Sequence, residues 1–221
     1  MLIDDAAASR LAGLPISSLQ ISIDGATAAV HEAVRPGGSW EGAVAALKRS
    51  SRRGLPTELV FVPTRLNLPE IVSACELAVS CGARKFVTGP LMRLGRAAAS
   101  WGHLGPSVSE WEAALSSLRE WAARSKRPIE LSIYPWDISR EIAARLESPQ
   151  AMVLIVPDGK VKLLNALPFA PADLRRQTLA EAWEAVGKAW SDARVRDFAS
   201  RVAGEPELLR HANECWELAP A

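Results

Sequence analysis

The stretch LQISIDG, residues 19–25, alternates apolar and polar side chains and ends at an Asp-Gly pair. This pattern is typical of a β-strand that runs into a turn. Three further short apolar runs also predict strands: LVFV at residues 59–62, FVT at residues 86–88 and LSIY at residues 131–134. The first two thirds of the chain therefore predict four short strands, and the segments between them decide how the strands are arranged.

Helical patterns lie between these strands. From Trp40, apolar side chains recur on one helix face, Asn67 precedes a second helix, and Ser109 is predicted to be the N-cap of a third. Strands that alternate with helices predict a parallel sheet with helices packed against it. The fold class is therefore α/β. Because a closed barrel needs about eight strands and four are predicted here, we expect a partial (β/α) barrel with two open sheet edges.

Residues 91–106 are predicted to form a long loop after the third strand. Loops longer than about 12–15 residues are often functional. Four side chains make this segment a candidate surface for a substrate or a partner: Arg93, Arg96, Trp101 and His103. Of the three histidines, His103 is the one we would test for chemistry, and an ordinary surface histidine is the alternative.

The last third of the chain has a different pattern. Pro157-Asp158-Gly159-Lys160 lies between two apolar runs, residues 152–156 and 161–164, and predicts a β-hairpin. Helices follow, and the predicted buried faces are Leu179, Ala182, Trp183, Val186 and Trp190 in one and Val195, Phe198, Ala199 and Val202 in another. The composition changes near residues 147–151. We predict a partial barrel over residues 1–147 and a hairpin with helices over residues 148–221.

Composition excludes several classes of protein. Lysine and arginine number 26 and aspartate and glutamate 25, so the formal charge is +1, which gives no electrostatic footprint for nucleic acid or an anionic membrane. No apolar run approaches the roughly 20 residues of a membrane helix, and residues 1–10 lack the apolar core of a secretory signal. Cys75, Cys81 and Cys215 are too few for a disulfide framework. We predict a cytoplasmic protein with no nucleic-acid or membrane partner.

The segment from Leu14 to Ala97 resembles the second half of a radical S-adenosylmethionine (SAM) core, in the SPASM/twitch branch that matures peptides and cofactors. The motifs that carry the resemblance are, in order, Ser22-Ile23-Asp24-Gly25, His31, Arg35, Gly37-Gly38-Ser39-Trp40, Val62-Pro63-Thr64-Arg65-Leu66-Asn67-Leu68, Gly89-Pro90-Leu91 and Gly95-Arg96-Ala97. The hairpin at residues 157–161, with Leu179 and Trp183 after it, is similar to a SPASM or twitch extension. The resemblance implies half of a radical SAM-type barrel followed by a degenerate extension.

The resemblance also implies a set of site residues. Ser22 and Arg35 match positions that contact the methionyl carboxylate of SAM, Asp24 matches one that could hold a ribose hydroxyl, and Asn67 matches one at the barrel mouth. These four would form a vestigial SAM side. Ordinary structural roles account for the same positions: a polar strand residue, a surface charge, a turn and a helix cap. Both interpretations stay open at this point.

The cluster loop of that family, Cys-x3-Cys-x2-Cys, does not occur in this sequence. Cys75 lies on an apolar helix face and is predicted to be a packed core thiol, and the hairpin region lacks the cysteines of auxiliary clusters. An iron–sulfur cluster needs thiolate ligands. We therefore expect no catalytic residue, no metal site and no cofactor on this chain alone. SAM and a [4Fe-4S] cluster would require a partner chain that supplies the missing loop.

Three functions fit these features. The first is a cluster-free, non-catalytic partner or substrate-binding subunit in peptide or cofactor maturation, which binds a precursor peptide or a maturase at the open sheet edge. The second is a half-barrel subunit of a split radical SAM enzyme. The third is a truncated, inactive gene product. A homodimer that pairs the edge near residues 19–23 would cover the same exposed backbone groups.

Overall fold

The computed structural model describes residues 3–125, 129–149 and 152–218. The chain divides into two compact units, the first formed by Met1–Leu91 and Leu104–Pro135 and the second by Met92–His103 and Trp136–Ala221. The predicted boundary between residues 147 and 148 stays a prediction, and residues 150–151 of the composition break lie outside the described ranges. No helix within those ranges is both long enough and apolar enough to cross a membrane.

Short elements make up both units. The strands are β1 Leu19–Ser22, β2 Thr57–Val60, β3 Lys85–Thr88, β4 Glu130–Ile133, β5 Leu154–Ile155, β6 Lys160–Lys162, β7 Phe169–Ala170, β8 Ala172–Asp173 and β9 Trp216–Glu217. The α-helices are α1 Asp5–Ala12, α2 Ala28–Val34, α3 Trp40–Arg52, α4 Ile71–Ser80, α5 Gly95–Ala99, α6 Trp101–Leu104, α7 Val108–Arg124, α8 Ile138–Glu147, α9 Leu179–Ala189 and α10 Ala193–Arg201. Two 3₁₀ segments cover Leu68–Glu70 and Pro206–Asn213.

The first unit contains one parallel sheet in the order β1-β2-β3-β4, which confirms the predicted α/β class. Ile21 lies beside Leu59, and Leu59 beside Phe86, so these side chains share one face of the sheet. That face is buried under α3, α4 and α7, and the rings of Phe61 and Phe86 stack at 5.9 Å. Each such side chain contributes about 1.5–3 kcal/mol on burial.

The opposite face of the sheet carries polar groups near the amino ends of the strands. Gln20 donates a hydrogen bond to Glu58 on the neighbouring strand at 2.9 Å. Lys85 pairs with Glu130 at 3.0 Å and lies 3.7 Å from Glu58. Opposite charges on adjacent strands favour this register. Within the described residues, β1 and β4 each pair on one side only, as expected of the edges of a partial barrel.

The helix faces predicted for α3 and α4 are confirmed. The buried side chains are Ala43, Val44 and Leu47 in α3 and Ile71, Ala74, Cys75 and Ala78 in α4, with Trp40 half-buried. The predicted N-cap of α7 is wrong by two residues. Ser107 caps the helix and forms a reciprocal capping box with Glu110, so the Glu three residues later selects Ser107 over Ser109.

Three segments contain helices that the periodicity does not predict. The predicted loop at residues 91–106 contains α5 and α6, and α5 includes Ala97–Ala99, a run of strong helix formers. The helices α1 and α2 have seven or eight residues each, too few for a clear hydrophobic period. Both begin at side-chain caps, Asp4 for α1 and Thr27 for α2. N-cap chemistry rather than periodicity could have located them.

The second unit is built around the predicted hairpin. Strands β5 and β6 pair antiparallel, and Gly159 adopts φ +85° in the turn between them. A residue with a Cβ would be strained at that angle. Strand β8 adds to the other side of β6, and a core from α8, α9 and α10 packs with these strands. The predicted face of α10 is confirmed: Val195, Phe198, Ala199 and Val202 are all buried.

The predicted buried face of α9 is partly wrong. Ala182, Val186 and Trp190 are buried, but Leu179 is 59% exposed and Trp183 is 47% exposed. The buried stripe of the helix centres on Ala182, Val186 and Ala189, so Trp183 lies at its border and Leu179 lies in the first turn. The short side chains of two alanines let the helix approach the sheet on that stripe, which an apolar count alone does not reveal.

We expect Gly187→Ala to stabilise the second unit by about 1 kcal/mol, because glycine inside a helix is less favourable than alanine by that amount. Gly187 lies within α9, and a Cβ built there meets no other atom within 4 Å. Gly159→Ala is the matched variant and should destabilise the unit, because its φ is positive. Hydrogen–deuterium exchange on peptides from α9 and the hairpin measures both effects. Faster exchange in Gly187→Ala would contradict the prediction.

Candidate functional site

Asp24 is the central residue of a polar network at the carboxyl end of β1. Its side chain is 1% exposed. Oδ1 accepts a hydrogen bond from the backbone N–H of Val62 at 2.8 Å, and Oδ2 accepts from Nε of Arg35. The Arg35 side chain is 43% exposed, so the guanidinium extends from the buried carboxylate to the surface. Both oxygens of Asp24 are therefore bound by charged or backbone donors, which are strong partners for a carboxylate.

Asn67 joins the ends of β1 and β2 through four hydrogen bonds. Its Nδ2 donates to the carbonyls of Asp24 and Val62, both at 2.9 Å. Its Oδ1 accepts from the Thr64 N–H at 2.6 Å and the Thr64 hydroxyl at 3.0 Å. Asn67 is fully buried, and its side chain makes no bond to the helix that follows. The helix-cap interpretation of Asn67 is therefore wrong: the amide is committed to the site.

His31 lies in α2 and is buried against the same strand end. Its Nδ1 accepts the backbone N–H of Asp24 at 3.0 Å, so the neutral ring carries its proton on Nε2. Burial lowers the pKa of His31, and Asp24 only partly opposes this effect. The histidine is thus a neutral acceptor that fixes the backbone at Asp24. Sequence reasoning favoured His103 and missed this role.

The stability of the first unit is expected to fall as pH drops below about 6.5. The pKa of folded His31 is lower than the ordinary value of about 6.5, so the unfolded chain binds the proton more readily. His31→Asn, whose Oδ1 can still accept the Asp24 N–H, should flatten this dependence. Hydrogen–deuterium exchange on peptides from the first unit measures this pH dependence of stability between pH 7.5 and 5.5 (a range of about two units around the ordinary pKa). The first unit has no other histidine that could contribute. An equal slope in wild type and variant would contradict the prediction.

The connection between β1 and α2 has no room for a side chain at Gly25. A Cβ on Gly25 would lie 2.5 Å from the backbone nitrogen of His31. Trp40 donates its indole N–H to the Gly25 carbonyl at 3.0 Å, and Glu70 accepts the Ala26 N–H at 2.7 Å. Glu70 also accepts the hydroxyl of Thr27. The Asp-Gly signal at residues 24–25 therefore marks the end of β1, and a bend at residues 26–27 leads into α2.

The remaining predicted site residues lie elsewhere. Ser22 is half-buried on β1, next to Val60 on β2, and the hydrogen bonds among the described residues do not join it to Asp24. Arg93, Arg96, Trp101 and His103 belong to the second unit. The Arg93 guanidinium lies 5.6 Å from the ring centre of half-buried Trp101, whereas Arg96 and His103 are exposed. A role for this segment in substrate or partner contact stays a prediction.

The donor set of the described residues does not fit an iron–sulfur cluster. Burial raises the pKa of the Cys75 thiol to about 12 and raises that of Cys81, whereas cluster ligands are thiolates. Cys215 belongs to the second unit. Across residues 3–125, 129–149 and 152–218, no three His, Cys, Asp or Glu side chains form a group that could hold a metal.

The fit to SAM is limited to one side chain. The oxygens of Asp24 and the amide of Asn67 are already bound by protein groups, so neither could bind a ribose hydroxyl without loss of an existing hydrogen bond. Arg35 uses Nε for Asp24, and its partly exposed terminal nitrogens could hold a carboxylate. The arrangement suits the binding of an anion at Arg35 and offers no acid–base pair beyond it.

Comparison with curated proteins finds relatives that match slightly less than half of the chain. Mycofactocin maturase MftC of Mycolicibacterium smegmatis is 36% identical over 104 residues, which is 47% of this chain and 26% of that protein. Mycofactocin maturase MftC of Mycobacterium ulcerans is 38% identical over 104 residues, which is 47% of this chain and 28% of that protein. The chain therefore spans about a quarter of the length of these relatives. No family model matches it.

Comparison with solved structures finds the same fold in a larger protein. Streptococcus suis SuiB bound to S-adenosylmethionine matches with a TM-score of 0.64 at 9% identity, over 83% of this chain and 46% of SuiB. SuiB bound to the precursor peptide SuiA matches with a TM-score of 0.66 at 8% identity, over 89% of this chain and 47% of SuiB. At such identities the likeness shows the fold, a partial barrel that spans about half of the solved chain.

Proposed function

Because the chain is related over part of its length to the radical SAM maturases, we propose that it acts in peptide or cofactor maturation as a cluster-free, non-catalytic partner. In this role it binds a precursor peptide or a maturase rather than cleaving SAM. A peptide partner is proposed because the neighbour SuiB is described as bound to its precursor peptide SuiA. Among the described residues, β1 and β4 each pair with a strand on one side only, so their outer edges offer backbone groups to such a partner.

One observation carries the proposal. The carboxylate of Asp24 and the amide of Asn67 are satisfied within the protein, so the groups that would have bound SAM instead hold two strand ends together. The burial of the Cys75 thiol in α4 and of the Cys81 thiol at its end, together with the distance of Cys215 from both in sequence, supports the cluster-free part. A binding role requires a rigid strand end, which the Asp24 and Asn67 hydrogen bonds supply. It does not require a source of electrons.

Anaerobic reconstitution of the purified chain with ferrous iron and sulfide tests the cluster-free role. We expect no broad absorbance at about 400 nm and no stoichiometric iron. Calorimetry with SAM should give no heat of binding, whereas a precursor peptide encoded beside the gene should bind. Stoichiometric iron with reductive SAM cleavage by the chain alone would overturn the proposal.

A second function, the half-barrel subunit of a split radical SAM enzyme, is favoured by Arg35. Its terminal nitrogens remain open to a carboxylate, and the chain spans 46–47% of SuiB. In that case a mixture with a cluster-bearing partner should cleave SAM only when this chain is present. Arg35→Lys keeps a charge for Asp24 but loses the guanidinium fork, so it should reduce cleavage in the mixture. Cleavage that is independent of this chain would exclude the second function.

A further inference from the structure

A basic groove of about 440 Å³ opens on the first unit, away from the Asp24 network. We call it the α3 groove. Its lining residues are Asp5 from α1 and Ala45, Lys48, Arg49, Arg52 and Arg53 from the end of α3 and the residue that follows it. It carries four cations and one carboxylate, whereas the whole chain has a formal charge of only +1. The lining of the groove, with four cations and one carboxylate, is therefore more positive than the chain as a whole.

The structure shows that this groove holds a carboxylate. Asp5 accepts hydrogen bonds from Nε of Arg49 at 3.2 Å and from Nη2 of Arg53 at 2.7 Å. The Asp5 side chain is 74% exposed, so the two guanidinium groups hold a carboxylate that solvent still reaches. The bonds from Arg53 and Arg49 lower the pKa of Asp5. The planar forks of arginine match the geometry of a carboxylate.

Two cations of the α3 groove remain open. Within the described ranges, neither Lys48 nor Arg52 has a hydrogen bond or ion pair from its side chain. They lie four residues apart, one above the other on the same side of α3. Each of them precedes in sequence one of the two arginines that bind Asp5, and all four line the same groove. A ligand whose carboxylates are as far apart as the side chains of Lys48 and Arg52 could pair with both.

We propose that the α3 groove binds an acidic segment of a polypeptide, whose carboxylates pair with Lys48 and Arg52 and compete with Asp5 for Arg49 and Arg53. A nucleic acid is the less suitable ligand, because its phosphates form a continuous row and need a longer basic stripe. The four cations here cover less than two turns of one helix. The inference does not rest on the proposed function, since neither SAM nor a maturase takes part.

Fluorescence anisotropy with the full chain and a labelled glutamate-rich peptide of about 12 residues tests the proposal, with a glutamine-rich peptide of equal length beside it. The double variant Lys48→Ala, Arg52→Ala should weaken binding of the acidic peptide about tenfold. The matched control is Arg119→Ala, Arg124→Ala, which removes two exposed cations from α7 of the same unit and should leave binding unchanged.

Asp5→Asn gives the sharpest readout. It removes the negative charge that Arg49 and Arg53 bind, while Arg49 keeps its bond to the Ile3 carbonyl at 2.9 Å, so the acidic peptide should bind about threefold more tightly. Thermal unfolding of each variant confirms that it is folded. Equal binding of the acidic and glutamine-rich peptides, equal loss in the α7 control, or tighter binding of single-stranded RNA of equal length would each overturn the proposal.

Discussion

Replacing Asn67 by Asp is expected to destabilise the first unit by about 4 kcal/mol at neutral pH. The substitution keeps the shape of the side chain but turns its two N–H donors into an acceptor. That acceptor would face the carbonyls of Asp24 and Val62 in a fully buried position. Three oxygens would then meet with no proton between them, and a charge would be buried without a counterion.

Acid should partly rescue this variant. Burial and the two facing carbonyls would raise the pKa of the introduced carboxyl, and once protonated it could donate one hydrogen bond. The stability difference from wild type should therefore shrink as pH falls from 7 to about 5, although wild type itself weakens through His31. Asn165→Asp, at an exposed turn position, is the control and should change little. Hydrogen–deuterium exchange on peptides from β1 and β2 reads the effect. A loss that grows toward acid would contradict this account.

The elements of the fold were predictable wherever the cause is local. The strand at residues 19–22 and the faces of α3 and α4 follow from periodicity, and the hairpin follows from its Asp-Gly turn. The apolar run predicted as a strand at residues 59–62 shares only two residues with β2, Thr57–Val60. Asn67 shows the limit of such reasoning. Its local signal, an Asn before a Pro-initiated turn, indicates a cap, but its partner Asp24 lies 43 residues earlier. Only the pairing of β1 with β2 brings the two together.

Three residues of the candidate site were predictable from the sequence, but their chemistry was not. Asp24, Arg35 and Asn67 do meet, yet they bind one another. His31 completes the network because the Thr27 cap starts α2 at the register that aims the ring at Asp24. A resemblance transfers positions along a chain, whereas hydrogen-bond satisfaction depends on every neighbour of a group. For this reason the sequence could place the residues at one strand end and could not say whether they face a ligand.

Lys162→Met is expected to stabilise the second unit by about 2 kcal/mol at pH 7. The Lys162 side chain lies on β6, is 3% exposed, and donates a hydrogen bond from Nζ to the Ala212 carbonyl. No carboxylate among the described residues pairs with it. Burial lowers the pKa of Lys162. An ammonium taken out of water toward a single carbonyl costs more free energy than that hydrogen bond returns, and Met fills the same space without a charge.

The pH dependence separates this cause from a change in packing. Folded Lys162 has a pKa below the ordinary value of about 10.4, so between those two values the unfolded chain holds the extra proton. The wild-type second unit should therefore become more stable as pH rises toward about 10.4. Its difference in free energy of unfolding from Lys162→Met should become smaller over that range. Below the pKa of folded Lys162 the difference should not depend on pH. Lys160→Met is the control on the same strand, because Lys160 pairs with Glu217 at 3.3 Å, and it should cost little. If Lys162→Met is instead less stable than wild type across pH 7 to 10 (a span of about three units below the ordinary pKa), the bond to Ala212 outweighs the burial of the charge. In that case the hydrogen bond of Lys162 stabilises the packing of the 3₁₀ segment Pro206–Asn213 on β6.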